Sequence, residues 1–351
     1  LIVTVVGVGV IGGSVGLAAR RRLGATVRGV DPRAAQALAT GAIDEAHDDL
    51  AAALDGAQAA VVAVPLSALA ETVEDVLRAA PADCVVTDVG STKRAVVAVA
   101  GEDPRFVGGH PLAGSEMAGV EHAREDLFEG ATWYLTPTAD SDGVLLERVH
   151  RMVAGLGACP AALDAETHDR VIAAISHLPH VLANVLVTQA AGALGGERMP
   201  ATGPSFRDAT RVAGANPKLW SDIYAANAEA LAAQLDAAIE RLGRVRDALR
   251  SGSDLSAWQH AAGQDRRALL EAGLAGGPLR ELRAAVPNRT GVIARIALRL
   301  GEEGINIADM VLSPSLDGTR GEIALWVPER QAARGAELIA ELGFGTGRPP
   351  A

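Results

Sequence analysis

The chain has 351 residues, 49% hydrophobic and 21% charged, which is the balance of a soluble globular protein long enough for two or three domains. Its 32 Lys and Arg against 43 Asp and Glu leave a net charge of −11 with no basic block, which argues against a nucleic-acid partner. The two cysteines, Cys84 and Cys159, stand in apolar surroundings and offer neither a disulfide framework nor a metal site, and no apolar run is expected to reach the ~20 residues of a membrane helix.

In chain order, residues 1–163 alternate valine-rich runs with stretches of helical period. LIVTVV reads as a strand and not as a cleavable signal, so the cytoplasm is the expected compartment. TVRGV, AAVVAVP and CVVTDVG follow, and continuous apolar runs of this length suit strands buried on both faces of a parallel sheet. GGSVGLAARRRL and SALAETVEDVLRAA between them have helical period, which predicts a Rossmann-type, doubly wound α/β domain.

Residues 164–273 turn to helix throughout. HDRVIAAISHLPHVLANVLVTQAAGAL predicts a long apolar helix that Pro179 should kink. PKLWSDIYAANAEALAAQLDAAIERLGRVRDALR starts with Pro217 in a first turn, where proline is favoured, and runs long. Helices this apolar bury more than one face, so this all-helical domain is expected to form a homodimer. AGLAGGP, residues 272–278, is a plausible linker. Residues 278–351 then read β-α-β-β-α, a small α+β domain whose second strand opens at Ile305 and Asn306 and whose last strand is barely marked in FGTGRPPA.

GVGVIG, residues 7–12, matches G-x-G-x-x-G between a strand and a helix. Gly7 permits the tight turn, Gly9 lets the backbone approach a pyrophosphate, and Gly12 allows close helix–strand packing. The N–H groups of Val10 and Ile11 open the helix toward the phosphates. Asp31 ends the next strand, nineteen residues past Gly12, where a carboxylate bonds ribose hydroxyls and repels the 2′-phosphate of NADP. NAD is therefore the expected cofactor. Arg33 is the nearby group that could hold such a phosphate, and Val64 and Pro65, closing AAVVAVP, belong to the same site.

DVGSTK (88–93) and GGHPLAGSE (108–116) both follow apolar runs, placing two polar loops where open α/β sheets bind ligands. The glycine pair and Pro111 predict that His110 lies on a sharply shaped loop. With S-H-L-P-H and F-R-D-A-T-R-V-A followed by Trp220, these motifs make the chain similar to the prephenate dehydrogenases, oxidative enzymes of tyrosine biosynthesis in their NAD-linked bacterial form. The resemblance covers nearly the whole chain and implies hydride transfer from C4 of a cyclohexadiene to NAD⁺, with loss of the ring carboxylate as CO₂.

By that resemblance His110 is the base or hydrogen-bond acceptor for the C4 hydroxyl, and Ser91 orients it and touches the nicotinamide. Arg211 matches an arginine that grips a carboxylate bidentately. His180 matches a second active-site histidine, while His177 is the structural one of the pair. Trp220 and Gly203 match substrate-side positions. Glu116, Arg207 and Asp208 resemble an ionic gate whose last two members come from a dimer partner. PNRTGVIARIALRLGEEGINIADM resembles an ACT domain, which implies an effector such as tyrosine near Asn288, Gly291 and Asn306. Other readings stay open: an arogenate (cyclohexadienyl) dehydrogenase, a β-hydroxyacid dehydrogenase-like reductase (which would want a catalytic lysine where only Lys218 is available), and an amino-acid sensor without activity.

Overall fold

The structure, a computed structural model, describes residues 1–114, 117–193, 202–273, 279–314 and 319–347. The chain divides into two compact units, one of residues 1–168 with 278–351 and one of residues 169–277.

In the first unit, β1 (Ile2–Val6), β2 (Thr26–Val30), β3 (Glu45–His47), β4 (Ala59–Val62) and β5 (Val85–Asp88) form a parallel sheet in the order β3-β2-β1-β4-β5. The connections are α1 (Val10–Leu23), α2 (Ala34–Ala39), α3 (Leu50–Leu54) and α4 (Leu66–Ala79), with α5 (Arg94–Ala100) after the last strand. Strands β4 and β5 are buried at every position, as strands covered on both faces must be. α4 buries Leu69, Val73, Val76 and Leu77, one stripe at helical spacing. α1 packs so closely that a Cβ on Gly16 would stand 2.1 Å from the Ala42 carbonyl oxygen.

A second sheet carries the reaction motif. β6 (Gly108–Pro111) pairs antiparallel with β7 (Thr132–Thr136), which pairs parallel with β8 (Cys159–Ala162), and α6 (Gly143–Gly155) lies between the latter two in the chain. His110 therefore sits on a strand, opposite Tyr134, and not on the loop that the glycine pair suggests. Cys84 is buried, whereas Cys159 is exposed at the start of β8, contrary to its apolar sequence context.

In the second unit and the helix leading into it, α7 (Ala165–Ile172) runs through a π-helical turn, Ala173–His177, into α8 (Leu178–Ala193). Pro179 lacks the N–H that would continue the ladder, and the π turn absorbs that gap by bonding Leu178 N–H to the Ala173 carbonyl. Residues 165–193 thus form a 29-residue helical run that by length and composition could span a membrane, correcting the expectation that no run is long enough. α9 (Pro204–Thr210) leads through a 3₁₀ turn, Arg211–Gly214, to α10 (Pro217–Ala226) and α11 (Ala228–Ser251), and α12 (Ser256–Gly273) follows. The long helix expected after Pro217 breaks at Asn227, which is buried and spends its side chain elsewhere.

The C-terminal segment belongs to the first unit. β9 (Leu279–Pro287), α13 (Val292–Glu302), β10 (Asp309–Pro314), β11 (Arg320–Pro328), α14 (Glu329–Glu341) and the short β12 (Thr346–Gly347) give an antiparallel sheet in the order β10-β11-β9-β12. β10 begins at Asp309, so Ile305 and Asn306 precede the strand they were expected to open. A single apolar core runs from the N-terminal sheet to this domain, joining Val3 and Leu146 to Ile296 and Leu338. Residues 274–278 of the expected linker and the tail from residue 348 lie outside the described residues.

Candidate active site

The glycine loop has the geometry that a dinucleotide requires. Gly7 has φ +90°, and a Cβ there would meet the Ala63 carbonyl oxygen at 2.6 Å. A Cβ on Gly12 would stand 2.0 Å from the Gly7 oxygen, whereas one on Gly9 would meet nothing within 4 Å, the open approach that a phosphate needs. The first bond of α1 runs from Gly13 N–H to the Gly9 carbonyl, which leaves the N–H groups of Val10, Ile11 and Gly12 without acceptors in the helix. Asp31 accepts the Val8 N–H at 2.8 Å and the Arg33 N–H at 2.7 Å, one on each oxygen. A carboxylate has about four acceptor positions, so it keeps capacity for two ribose hydroxyls. Arg33 is exposed at the start of α2; Val64 is half-buried and Pro65 exposed just beyond β4. These residues fit a bound dinucleotide.

His110 is 8% exposed and is held from three directions. Across the sheet gap, Asp88 at the end of β5 accepts the Gly109 N–H at 3.0 Å and the Gly90 N–H at 2.8 Å. Fully buried Lys93 pairs with Asp88 and donates to the Gly109 carbonyl at 2.7 Å. The glycine pair is demanded by this approach. A Cβ on Gly109 would stand 2.5 Å from the Asp88 carbonyl oxygen, and one on Gly108 would stand 2.3 Å from Thr136 Oγ1. On its other side, His110 Nδ1 lies 2.9 Å from Nε2 of His168, which has no exposed surface. Tyr134 meets the His168 ring edge-on at 5.6 Å, and burial raises its phenol above the usual value. Ser91 is half-buried on the turn between β5 and α5.

The second unit gathers a different set. The His180 ring stacks on Trp220 with centroids 3.3 Å apart and planes inclined by 23°. Burial, with the nearby Arg211 guanidinium, holds His180 below the ordinary histidine value, so it stays neutral at physiological pH. An arginine fork, a neutral imidazole and an indole face together suit a flat ring bearing a carboxylate. His177 is buried, with Nδ1 3.2 Å from Asn227 Nδ2, whose amide also donates to the Asp169 carbonyl at 2.8 Å. Arg207 and Asp208 are exposed on α9, where Arg207 donates to the Thr202 carbonyl at 3.3 Å. Gly203 caps α9 with open space about its Cα, and Glu116 lies outside the described residues.

At the C-terminal domain, Gly291 caps α13 with φ +78°, and its N–H bonds the Ser141 carbonyl at 3.2 Å. Asn288 is exposed, and its N–H bonds the Thr319 carbonyl at 3.2 Å. The Oδ1 of Asn306 is buried and has no hydrogen-bond donor among the described residues.

Four participants were not picked out from the sequence. Lys93 and Asp88 belong to the quoted DVGSTK, but only the fold shows that they clamp the histidine strand. His168 lies 58 residues from His110, and no local pattern marks it. Asn227 looks like a surface residue within a helical period.

Three family models match successive stretches: the nucleotide-binding domain of prephenate dehydrogenase over residues 15–160, its dimerization domain over 164–258, and the ACT domain over 280–343. The chain is 30% identical to prephenate dehydrogenase of Bacillus subtilis over 358 residues, which span 95% of this chain and 94% of that protein. It is 34% identical to cyclohexadienyl dehydrogenase of Zymomonas mobilis over 59% of this chain and 73% of that one. Among solved structures it is similar to Aquifex aeolicus prephenate dehydrogenase in complex with hydroxyphenyl propionate and NAD⁺, with TM-score 0.69, 29% identity, and coverage of 76% of this chain and 98% of that one. It is also similar to Synechocystis arogenate dehydrogenase, with TM-score 0.66, 28% identity, and coverage of 77% and 99%.

Proposed function

The chain belongs to the prephenate dehydrogenase family, and we propose that it converts prephenate to 4-hydroxyphenylpyruvate by NAD-dependent oxidative decarboxylation, a step of tyrosine biosynthesis. The observation that carries this reading is the buried imidazole of His110, fixed on a strand that Asp88 and Lys93 clamp.

Bound NAD⁺ supplies the hydride acceptor, and the loop Gly7–Gly12 with Val10, Ile11, Asp31, Val64 and Pro65 would hold it. As C4 is oxidised its hydroxyl becomes strongly acidic, and His110 takes that proton. The bond from the ring to its carboxylate then breaks, CO₂ leaves, and the electron pair completes the aromatic ring. The phenolate recovers its proton from His110, so the imidazole ends as it began. A neutral imidazole with an ordinary value near ~6.5 suits a base working close to neutral pH. We assign Ser91 to orienting His110, and Arg211, His180 and Trp220 to gripping the substrate carboxylate and ring face. Gly203 is assigned a backbone contact, and Glu116, Arg207 and Asp208 an ionic gate.

We assign residues 1–163 to dinucleotide binding, 164–273 to substrate binding and dimerisation, and 278–351 to regulation. A homodimer through the helices is supported by the exposed Val185, Leu186, Ile239, Leu242 and Leu249 and by the dimerization-domain match. An amino-acid effector such as tyrosine is supported by the ACT match and by the buried, undonated Oδ1 of Asn306, which an ammonium group would satisfy. The cytoplasm is the compartment in keeping with this biosynthetic role.

The test is NADH formation by the purified protein with prephenate and with arogenate, each with NAD⁺ and NADP⁺. Fastest turnover with prephenate and NAD⁺ is expected. Turnover with arogenate alone would reassign the substrate, and none with either would overturn the proposal.

A further inference from the structure

The proton-acceptor reading of His110 makes no use of His168, yet this imidazole is wholly buried and touches the reacting one. We propose that His168 is a positioning residue whose Nε2 accepts the Nδ1–H of His110 and so keeps the lone pair of the reacting imidazole on its own Nε2. The inference rests on the reading of His110 as proton acceptor.

One proton occupies the 2.9 Å gap between His110 Nδ1 and His168 Nε2, and it has two arrangements. If His168 donates, the proton of neutral His110 sits on its Nε2, and that nitrogen cannot take another. If His110 donates, its Nε2 carries a lone pair and can act as a base. Only the second arrangement fits the chemistry, and it requires His168 as acceptor. An unconstrained imidazole prefers its proton on Nε2, so the partner does work that the isolated side chain would not do for itself.

The surroundings hold His168 to this task. Asp164 caps the start of α7, its carboxylate accepting the Thr167 N–H at 2.8 Å and its carbonyl accepting the His168 N–H at 2.8 Å. The two imidazoles meet edge-on, with centroids 5.1 Å apart and planes inclined by 69°. Tyr134 closes the other side of His168 and is also the residue opposite His110 in the β6–β7 register. A residue needed only for packing would not carry buried polar nitrogens, which cost free energy unless bonded. When His110 takes the substrate proton, its Nδ1–H becomes a cationic donor and the bond to His168 strengthens while the charge lasts. This is the service that a carboxylate renders in a serine-protease triad, performed here by a neutral group.

The test compares His168→Phe, which keeps the ring contact but removes the acceptor, with His168→Gln, whose amide oxygen can accept. Turnover in the Phe variant is expected to fall about 10- to 100-fold, within the usual reach of general-base assistance, with KM for prephenate and affinity for NAD⁺ unchanged. The Gln variant is expected to recover most of the loss. In ¹⁵N-histidine spectra, His110 should carry its proton on Nδ1 in the wild-type protein. Wild-type turnover in the Phe variant, a Gln variant as slow as the Phe variant, or a wild-type His110 protonated on Nε2 would each overturn the proposal. Should the Phe variant not fold, the Gln variant and the wild-type spectrum decide. His110→Asn is the control: if it keeps full turnover, the proton-acceptor reading itself fails. If it is inactive while His168→Phe is not, only the role of His168 is lost.

Discussion

A lysine without exposed surface loses its hydration, and Lys93 recovers it from the Asp88 carboxylate and the Gly109 carbonyl. Removing one partner of a buried pair strands the other charge, so Lys93→Met should cost about 3–5 kcal/mol in urea unfolding. A loss below about 1 kcal/mol, the range of exposed pairs, would mean that the clamp is not energetically coupled to the fold. Arg211 acts at longer reach. Its charge is one of two causes, after burial, that hold His180 below the ordinary histidine value. Arg211→Ala should therefore let the His180 titration rise in NMR, and should raise KM for prephenate far more than it lowers turnover. An unchanged KM would remove the carboxylate role.

At the scale of elements, two glycine motifs turned out to be about proximity in different ways. In α1 the spacing of glycines is local, and the sequence reads correctly as a turn and a close approach. At Gly108–Gly109 the same residue type reads as a loop, yet the glycines lie in a strand because β5 presses against β6, as the bond between Asp88 and Gly109, 21 residues apart in the chain, shows. Helix α6 adds a second non-local device. His150 is buried and donates from Nε2 to the Ile307 carbonyl at 2.9 Å, and its Nδ1 has no hydrogen-bond partner among the described residues. Burial lowers its value, with the Ile307 bond and Asp309 opposing. The unfolded chain thus binds a proton more readily, so stability is full above about pH 6.5 and falls as pH drops from there toward the depressed folded value. Unfolding free energy measured against pH should show this loss, and His150→Leu should reduce it. An identical slope in the variant would assign the loss to other groups.

For the whole molecule, the domain order was legible from periodicity because each domain type repeats its own rhythm: valine runs with helices, then helix throughout, then β-α-β-β-α. The joining of the first and last segments into one core was not. It depends on contacts such as His150 to Ile307, and on Gly301, where a Cβ would stand 1.9 Å from the Ala162 carbonyl oxygen. The candidate site divides in the same way. His110, Asp31 and the glycine loop announce themselves by spacing, and Arg211, His180 and Trp220 by resemblance to a family. His168 and Asn227 act through partners distant in sequence, which no window reveals.

The central claim is that one buried imidazole takes the C4 proton, and single-turnover kinetics of His110→Asn with prephenate and NAD⁺ test it most directly. Turnover about 10²- to 10⁴-fold slower is predicted, because the amide cannot take up the proton, with NAD⁺ affinity unchanged because the glycine loop is untouched. Wild-type turnover in that variant would contradict the account.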